Sequence, residues 1–258
     1  LAAYKGVHQM TLQTRFFPAT LRAKELVDEG FVGDVLSFRA AYLHAGSAEP
    51  NAPLKWKLSK GLAGGGVMLD LGTHVADITR HLVGEFDELL CANRIAFADR
   101  PSADKPGERV AVDAEDLSLL MVRLKSGAVG TIEASKIATG AQDELRFEIH
   151  GTRGALRFNL MRPEWLEAWS MADATGPTGG SQGWKAIDCV QRYPKPAAWP
   201  TPKASIGWLR GHAHCLFNFL SAIADGRKAE PGLEVGIRLQ EIADAAYRSN
   251  EERRWVKV

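Results

Sequence analysis

With 258 residues and a formal net charge of +1, the chain has the size and charge balance of an ordinary globular protein, and a chain this long buries roughly 70–75% of its unfolded surface without help from disulfides or metal. Its three cysteines, Cys91, Cys189 and Cys215, form no Cys-x-x-Cys pair, which argues against a zinc finger or disulfide framework and for a reduced, cytoplasmic setting. The charge balance gives no footing for nucleic acid, and no apolar run reaches the roughly 18 residues of a membrane span.

The chain opens at Leu1 and enters a patterned segment at once, as a fragment of a longer protein would. Val7 to Thr14 reads as a strand, and Pro18 marks the start of a helix that runs toward Gly30. After Gly33-Asp34, Leu36, Phe38, Ala40 and Tyr42 share one face of a second strand. The segment from Gly46 to Gly64 reads as a loop carrying Pro50, Pro53 and Trp56. A helix follows the glycine run Gly64-Gly65-Gly66, and then a β-rich region. Phe86 to Ala98, Leu117 to Leu124, Ala128 to Ile137, Leu145 to His150, Ala155 to Leu160 and Trp165 to Trp169 all read as strands. Short turns such as Lys125-Ser126-Gly127 join several of them, so the sheet is an antiparallel meander. Ala172 to Ser205, with Trp184 and Trp199, is a long Gly/Pro/Ser-rich loop of the kind that often carries function. Helices over Trp208 to Ala224 and Leu233 to Ser249 and a short strand, Arg254 to Val258, close the chain. The fold expected is α+β: one domain over residues 1–258, a large, open, mostly antiparallel sheet with helices on one face.

The glycines Gly64, Gly65 and Gly66 are the only Gly-x-Gly, and the position three beyond them is Leu69. No clear strand precedes them, so a dinucleotide loop is a poor match. Glycines that bend the chain into a closely packed helix explain them better. Along that helix Met68, Leu71, Val75, Ile78 and Leu82 form an apolar stripe, and Asp70, His74, Asp77 and His81 form a polar one. Three readings compete for the polar stripe. It is a solvated face with helix-stabilising Asp–His pairs, half of a metal site, or an acid–base pair in which Asp70 supports His74.

Trp56-Lys57 followed by Gly64-Gly65-Gly66-Val67-Met68-Leu69-Asp70-Leu71-Gly72-Thr73-His74-Val75-Ala76-Asp77 resembles the signature of the glucose–fructose oxidoreductase/inositol dehydrogenase/MocA family: tryptophan, basic residue, glycine run, Asp-x-Gly-x-His and x-x-Asp. Arg15-Phe16-Phe17-Pro18-Ala19, Glu29-Gly30-Phe31-Val32-Gly33-Asp34, His150-Gly151-Thr152-Arg153-Gly154 and the ending Arg254-Trp255-Val256-Lys257-Val258 agree in order. The likeness covers nearly the whole chain and matches the family's C-terminal, substrate-binding domain. It implies an NAD(P)-dependent oxidoreductase of a sugar, cyclitol or related polyol, with the dinucleotide-binding domain outside these residues. By the same resemblance His74 is the proton-transfer group and Asp70 its support. Lys57, Trp56 and, more weakly, Arg15 are the substrate contacts, and the open sheet face joins subunits into a homo-oligomer. By itself the chain should transfer no hydride. The alternatives are a non-catalytic binding or oligomerisation module, and a metal-dependent enzyme built on Asp70 and His74. A small carbohydrate-like molecule is the expected partner; nucleic acid and membrane are not.

Overall fold

The structure, a computed structural model, describes residues 4–190 and 207–258. Among the described residues, five α-helices and eleven strands follow one another as α1 (Pro18–Asp28), β1 (Val35–Leu43), α2 (Lys60–Ala63), α3 (Thr73–Val83), β2 (Phe86–Arg94), β3 (Asp99–Pro101), β4 (Arg109–Ala111), β5 (Leu117–Leu124), β6 (Val129–Ser135), β7 (Glu144–Gly151), β8 (Gly154–Asn159), β9 (Trp165–Ser170), β10 (Lys185–Asp188), α4 (Trp208–Ala224), α5 (Leu233–Glu252) and β11 (Val256–Lys257). Nine strands form one sheet in the order β10-β9-β8-β7-β1-β6-β5-β2-β11, and β3 pairs with β4 in a separate ribbon. The class is α+β with a large, mostly antiparallel sheet, as the alternation of apolar and polar residues implied.

The chain gathers into two compact units. The first comprises Leu1–Ser37, His81–Val83 and Phe147–Leu239, and the second Phe38–Arg80, Gly84–Arg146 and Gln240–Val258. In the first unit β8 and β9 pair antiparallel, with Leu156 opposite Ala168 and Phe158 opposite Leu166. Leu156, Leu160 and Leu166 are buried completely. Pro18, in the first turn of α1, has no N–H to leave unpaired there. Phe17, just before it, meets the ring of Trp208 edge-on at 5.9 Å.

The strand expected over Val7 to Thr14 is not one. Residues 7–12 are irregular, and Gln13–Phe16 forms a 3-10 turn that includes Arg15. Instead of a strand ladder, the Met10 N–H donates to Pro231 O at 2.8 Å. The Gln9 amide donates to Cys215 O at 2.9 Å. The segment's apolar residues reflect anchoring against α4 and the turn before α5, which alternation alone does not distinguish from strand pairing. The long loop after Ala172 contains β10, which pairs antiparallel with β9. The guanidinium of Arg157 sits 4.3 Å from the centre of the Trp184 ring. Residues 191–205 of that loop, with Trp199, lie outside the described residues.

In the second unit β2, β5 and β6 form an antiparallel core. Leu120, Val122, Leu124, Ile132 and Leu89 point to the buried side, where each contributes roughly 1.5–3 kcal/mol of transfer free energy. Their neighbours Leu119, Met121 and Val129 stay 44%, 52% and 48% exposed on the opposite side. A cleft of about 620 Å³ opens there, lined by Leu90, Leu119, Met121 and Thr131 among others. The segment expected as a loop from Gly46 to Gly64 holds a 3-10 turn, Trp56–Leu58, and α2. Arg100 is fully buried, and its guanidinium donates to Glu49 O and Ser47 O at 2.7 and 2.6 Å. Among the described residues, Cys91, Cys189 and Cys215 are joined in no disulfide, and all three are buried. Among the described residues, no helix is long and apolar enough to cross a membrane.

Candidate active site

The site is built around the start of the helix that the glycines introduce. Gly64 closes α2 in the left-handed region, at φ +81°, a conformation that costs glycine nothing. Gly66 then lies flat against the chain at Glu115: a Cβ there would stand 2.3 Å from Glu115 O. This close approach lets the next turn take its hydrogen bonds from Glu115. The Val67 N–H donates to Glu115 O at 2.8 Å and the Met68 N–H to Glu115 Oε1 at 3.0 Å. Tyr247, on α5, donates its hydroxyl to the same carboxylate oxygen at 2.9 Å. Two donors thus hold the buried Glu115 carboxylate and a third its main-chain carbonyl, where orphan N–H groups of a helix start need an acceptor. On this side the glycine run faces protein.

The helix does not begin as α. Met68–Gly72 is a π-helical turn, and α3 starts at Thr73. Such turns are rare and concentrate at functional sites. The apolar stripe is as expected: Met68, Leu71, Val75, Ile78 and Leu82 are all buried. The polar stripe is not a solvated face, because Asp77 is completely buried and Asp70 and His74 are half-buried.

Asp70 gathers two ammonium groups. Lys57 Nζ donates to its Oδ1 at 2.7 Å. Lys136 Nζ lies 3.1 Å from its Oδ2, a charge-to-charge contact without the angle of an aligned hydrogen bond. Burial alone would raise the Asp70 carboxyl. The hydrogen bond from Lys57 and the charge of Lys136 outweigh it, and the group is held below its ordinary 3.8. Lys136 sits just past the end of β6, almost wholly buried. Its main chain is fixed by bonds from Lys136 N to Asp116 O and from Ser47 N to Lys136 O.

Beside this ion cluster, burial holds the His74 imidazole below its ordinary 6.5, against the raising charges of Asp77, Asp70 and Asp143. Burial thus favours the neutral ring. Its Nδ1 is buried and has no hydrogen-bond partner among the described residues. The Tyr42 ring, near the end of β1, meets it edge-on, with centroids 6.0 Å apart at 81°.

Of the residues that sequence reasoning assigned, Asp70, Lys57, Trp56 and His74 come together in the second unit. Trp56 is 60% exposed, with Lys57 Nζ 5.7 Å from its ring centre. Both line a cleft of about 120 Å³ with Ala63, Gly65, Gly66, Leu69 and Asp70. Arg15 is in the 3-10 turn of the first unit and is not among the residues lining this cleft. Sequence reasoning missed Lys136, Glu115 and Tyr42, which the sheet brings in from distant positions. Among the described residues, no three His, Cys, Asp or Glu side chains are grouped to hold a metal ion. Two ammonium groups on Asp70 also make it a poor cation ligand.

Over residues 24–258 the chain matches the model of the Gfo/Idh/MocA oxidoreductase family, C-terminal alpha/beta domain. The chain belongs to this family. A levoglucosan dehydrogenase from Pseudarthrobacter phenanthrenivorans is 34% identical over 98% of the chain, which covers 67% of that protein. An inositol 2-dehydrogenase from Rhizobium meliloti is 26% identical over 95% of the chain, which covers 63% of that protein. The solved structure of a levoglucosan dehydrogenase in complex with NADH and levoglucosan superposes with a TM-score of 0.91 at 34% identity, covering 100% of this chain and 68% of that one. The chain thus spans about two thirds of the length of these family members.

Proposed function

We propose that this chain is the substrate-binding part of an NAD(P)-dependent dehydrogenase acting on a sugar, cyclitol or related polyol. The observation that carries the proposal is His74, held uncharged by burial yet surrounded by carboxylates that stabilise the imidazolium once it forms. A group of this kind is matched to taking a proton from an alcohol near neutral pH and returning it in the reverse direction. The dinucleotide would be held by chain outside these 258 residues; when bound, it exchanges a hydride with the substrate carbon. His74 moves the hydroxyl proton. Asp70 acts on it through its charge and keeps Lys57 and Lys136 in place. Lys57 offers an ammonium to substrate oxygens, and Trp56 offers a flat apolar face of the sort that sugar rings stack on.

Relatives named for levoglucosan, inositol and xylose support the polyol class. The proposal extends to a homo-oligomer joined through the sheet face that carries Leu119, Met121 and Val129, and to a cytoplasmic enzyme. The 258 residues alone should transfer no hydride.

The test is His74→Ala in the enzyme with its dinucleotide-binding part present. Turnover should fall about 10²–10⁴-fold while NAD(P) affinity stays within about twofold. Loss of NAD(P) affinity to the same degree, or full turnover, would refute the proton-transfer role.

A further inference from the structure

A second cluster adjoins His74 through the Tyr42 ring, and none of its members belongs to the Asp-x-Gly-x-His segment. Tyr42 lies in the buried run that closes β1, and His44 follows it by two residues. Their rings meet edge-on at 5.1 Å and 85°. Asp143 stands just before β7. His44 Nε2 is 2.5 Å from Asp143 Oδ1, and the Tyr42 hydroxyl is hydrogen-bonded to the same carboxylate. The main chain fixes this corner. His44 N donates to Ser135 O at 2.7 Å, and Ala138 N donates to His44 O at 2.9 Å. Tyr42 is 4% exposed, so it is a rigid wall, whereas the His44 and Asp143 side chains are 30% and 38% exposed.

We propose that Asp143, held by Tyr42 and His44, is a positioning residue for His74. Tyr42 fixes the plane of the imidazole, and Asp143 supplies a permanent negative charge that favours the imidazolium. The proposal deepens the acid–base reading and rests on it for its catalytic meaning.

Each part of the cluster has a chemical reason. A carboxylate that accepts from two donors stays ionised: burial would raise Asp143, but the bonds from His44 and Tyr42 and the charges of His44 and His74 hold it below its ordinary 3.8. Burial, then Asp143, push the Tyr42 hydroxyl far above its ordinary 10, so it remains a donor at every working pH. The charged groups that act on His74 are Asp77 from its own helix, Asp70 from the π-helical turn, Asp143 from the segment before β7, and Lys57 in the opposite sense. Lys136 reduces the effect of Asp70 by pairing with it. Asp143 adds its charge to those of Asp77 and Asp70, which act on the imidazole in the same sense.

The test reads His74 directly, by NMR titration of the chain with ¹³C-labelled histidine, the His74 signal being assigned from its loss in His74→Gln. Asp143→Asn keeps shape and removes charge. It should move the His74 midpoint down by roughly half a pH unit or more, and Asp143→Glu should restore it. Tyr42→Phe keeps the ring and leaves Asp143 bound to His44, so the midpoint should stay within about 0.2 unit of wild type. Because Asp143 is partly exposed, Asp143→Ser serves as a second neutral variant if the amide disturbs the fold. A folded neutral variant whose His74 titrates like wild type would overturn the proposal. This readout needs no substrate or cofactor, so failure of the oxidoreductase reading would show as inactivity of the complete enzyme with the midpoint shift intact.

Discussion

Gly66→Ala should destabilise this protein out of proportion to the single methyl it adds. The new Cβ would lie 2.3 Å from Glu115 O, 2.5 Å from Glu115 N and 2.6 Å from Glu115 Oε2. Ordinary carbon contacts begin near 3.4 Å, so the two segments must separate by about 1 Å. That movement carries the 2.8 Å bond from Val67 N and the 3.0 Å bond from Met68 N out of range. Overpacking costs about 1–3 kcal/mol, and each buried group left unpaired costs about 1–3 kcal/mol more. With two groups unpaired, a loss of at least about 3 kcal/mol follows, equivalent to a melting point lower by roughly 6 °C or more in a chain of this size. Gly64→Ala is the matched control. Its strain is conformational, at φ +81°, and its Cβ would meet only Leu69 Cδ1 at 3.6 Å. It should cost about 1 kcal/mol. Thermal unfolding followed by circular dichroism distinguishes the two. Equal shifts, or a Gly66→Ala melting point within about 2 °C of wild type, would refute the idea that the glycine run serves packing against Glu115.

Two further outcomes follow from the site and the sheet. Asp70→Asn leaves the buried Lys136 ammonium without its counter-charge and should cost about 1–3 kcal/mol at pH 7. Because the folded carboxyl titrates below its ordinary 3.8, this contribution is present above that value and lost as pH falls through the folded pKa. Urea unfolding at several pH values should therefore show wild type and variant converging in acid, and a gap that persists unchanged would count against the ion cluster. On the sheet, Met121→Lys places a charge in the exposed apolar cleft beside Leu119. Light scattering should find a smaller species than wild type, and an unchanged mass would remove this face as the subunit contact.

The sequence was informative where local pattern and structure coincide. Leu120, Val122 and Leu124 alternate with Leu119, Met121 and Arg123, and β5 follows from that alternation alone. Asp70 and Lys57 were both singled out, and they bond although 13 residues separate them. The ribbon of β3 and β4 was missed because Asp99–Pro101 and Arg109–Ala111 are short, and β4 is exposed on both faces. The larger omission has a clear cause. Lys136, Glu115, Tyr42, His44 and Asp143 are ordinary residues locally and become a site only through pairings that span much of the chain, 99 residues for His44 and Asp143. Nothing in the spacing around any one of them records its partner.

The π-helical turn at Met68–Gly72 also affects how this site can change. One residue added to a turn rotates everything after it by about 100° relative to an uninterrupted α-helix. Asp70 lies inside the turn and His74 just beyond it. The angle between the carboxylate and the imidazole is thus set by a local insertion, while the apolar stripe sets how deeply the helix sits. The two are coupled, because Val75, Ile78 and Leu82 also follow the turn. Deleting a single residue between Met68 and Gly72 would swing His74 away from Tyr42 and turn these three apolar side chains from their buried positions together, so the register that orients the imidazole is guarded by the packing of the helix itself.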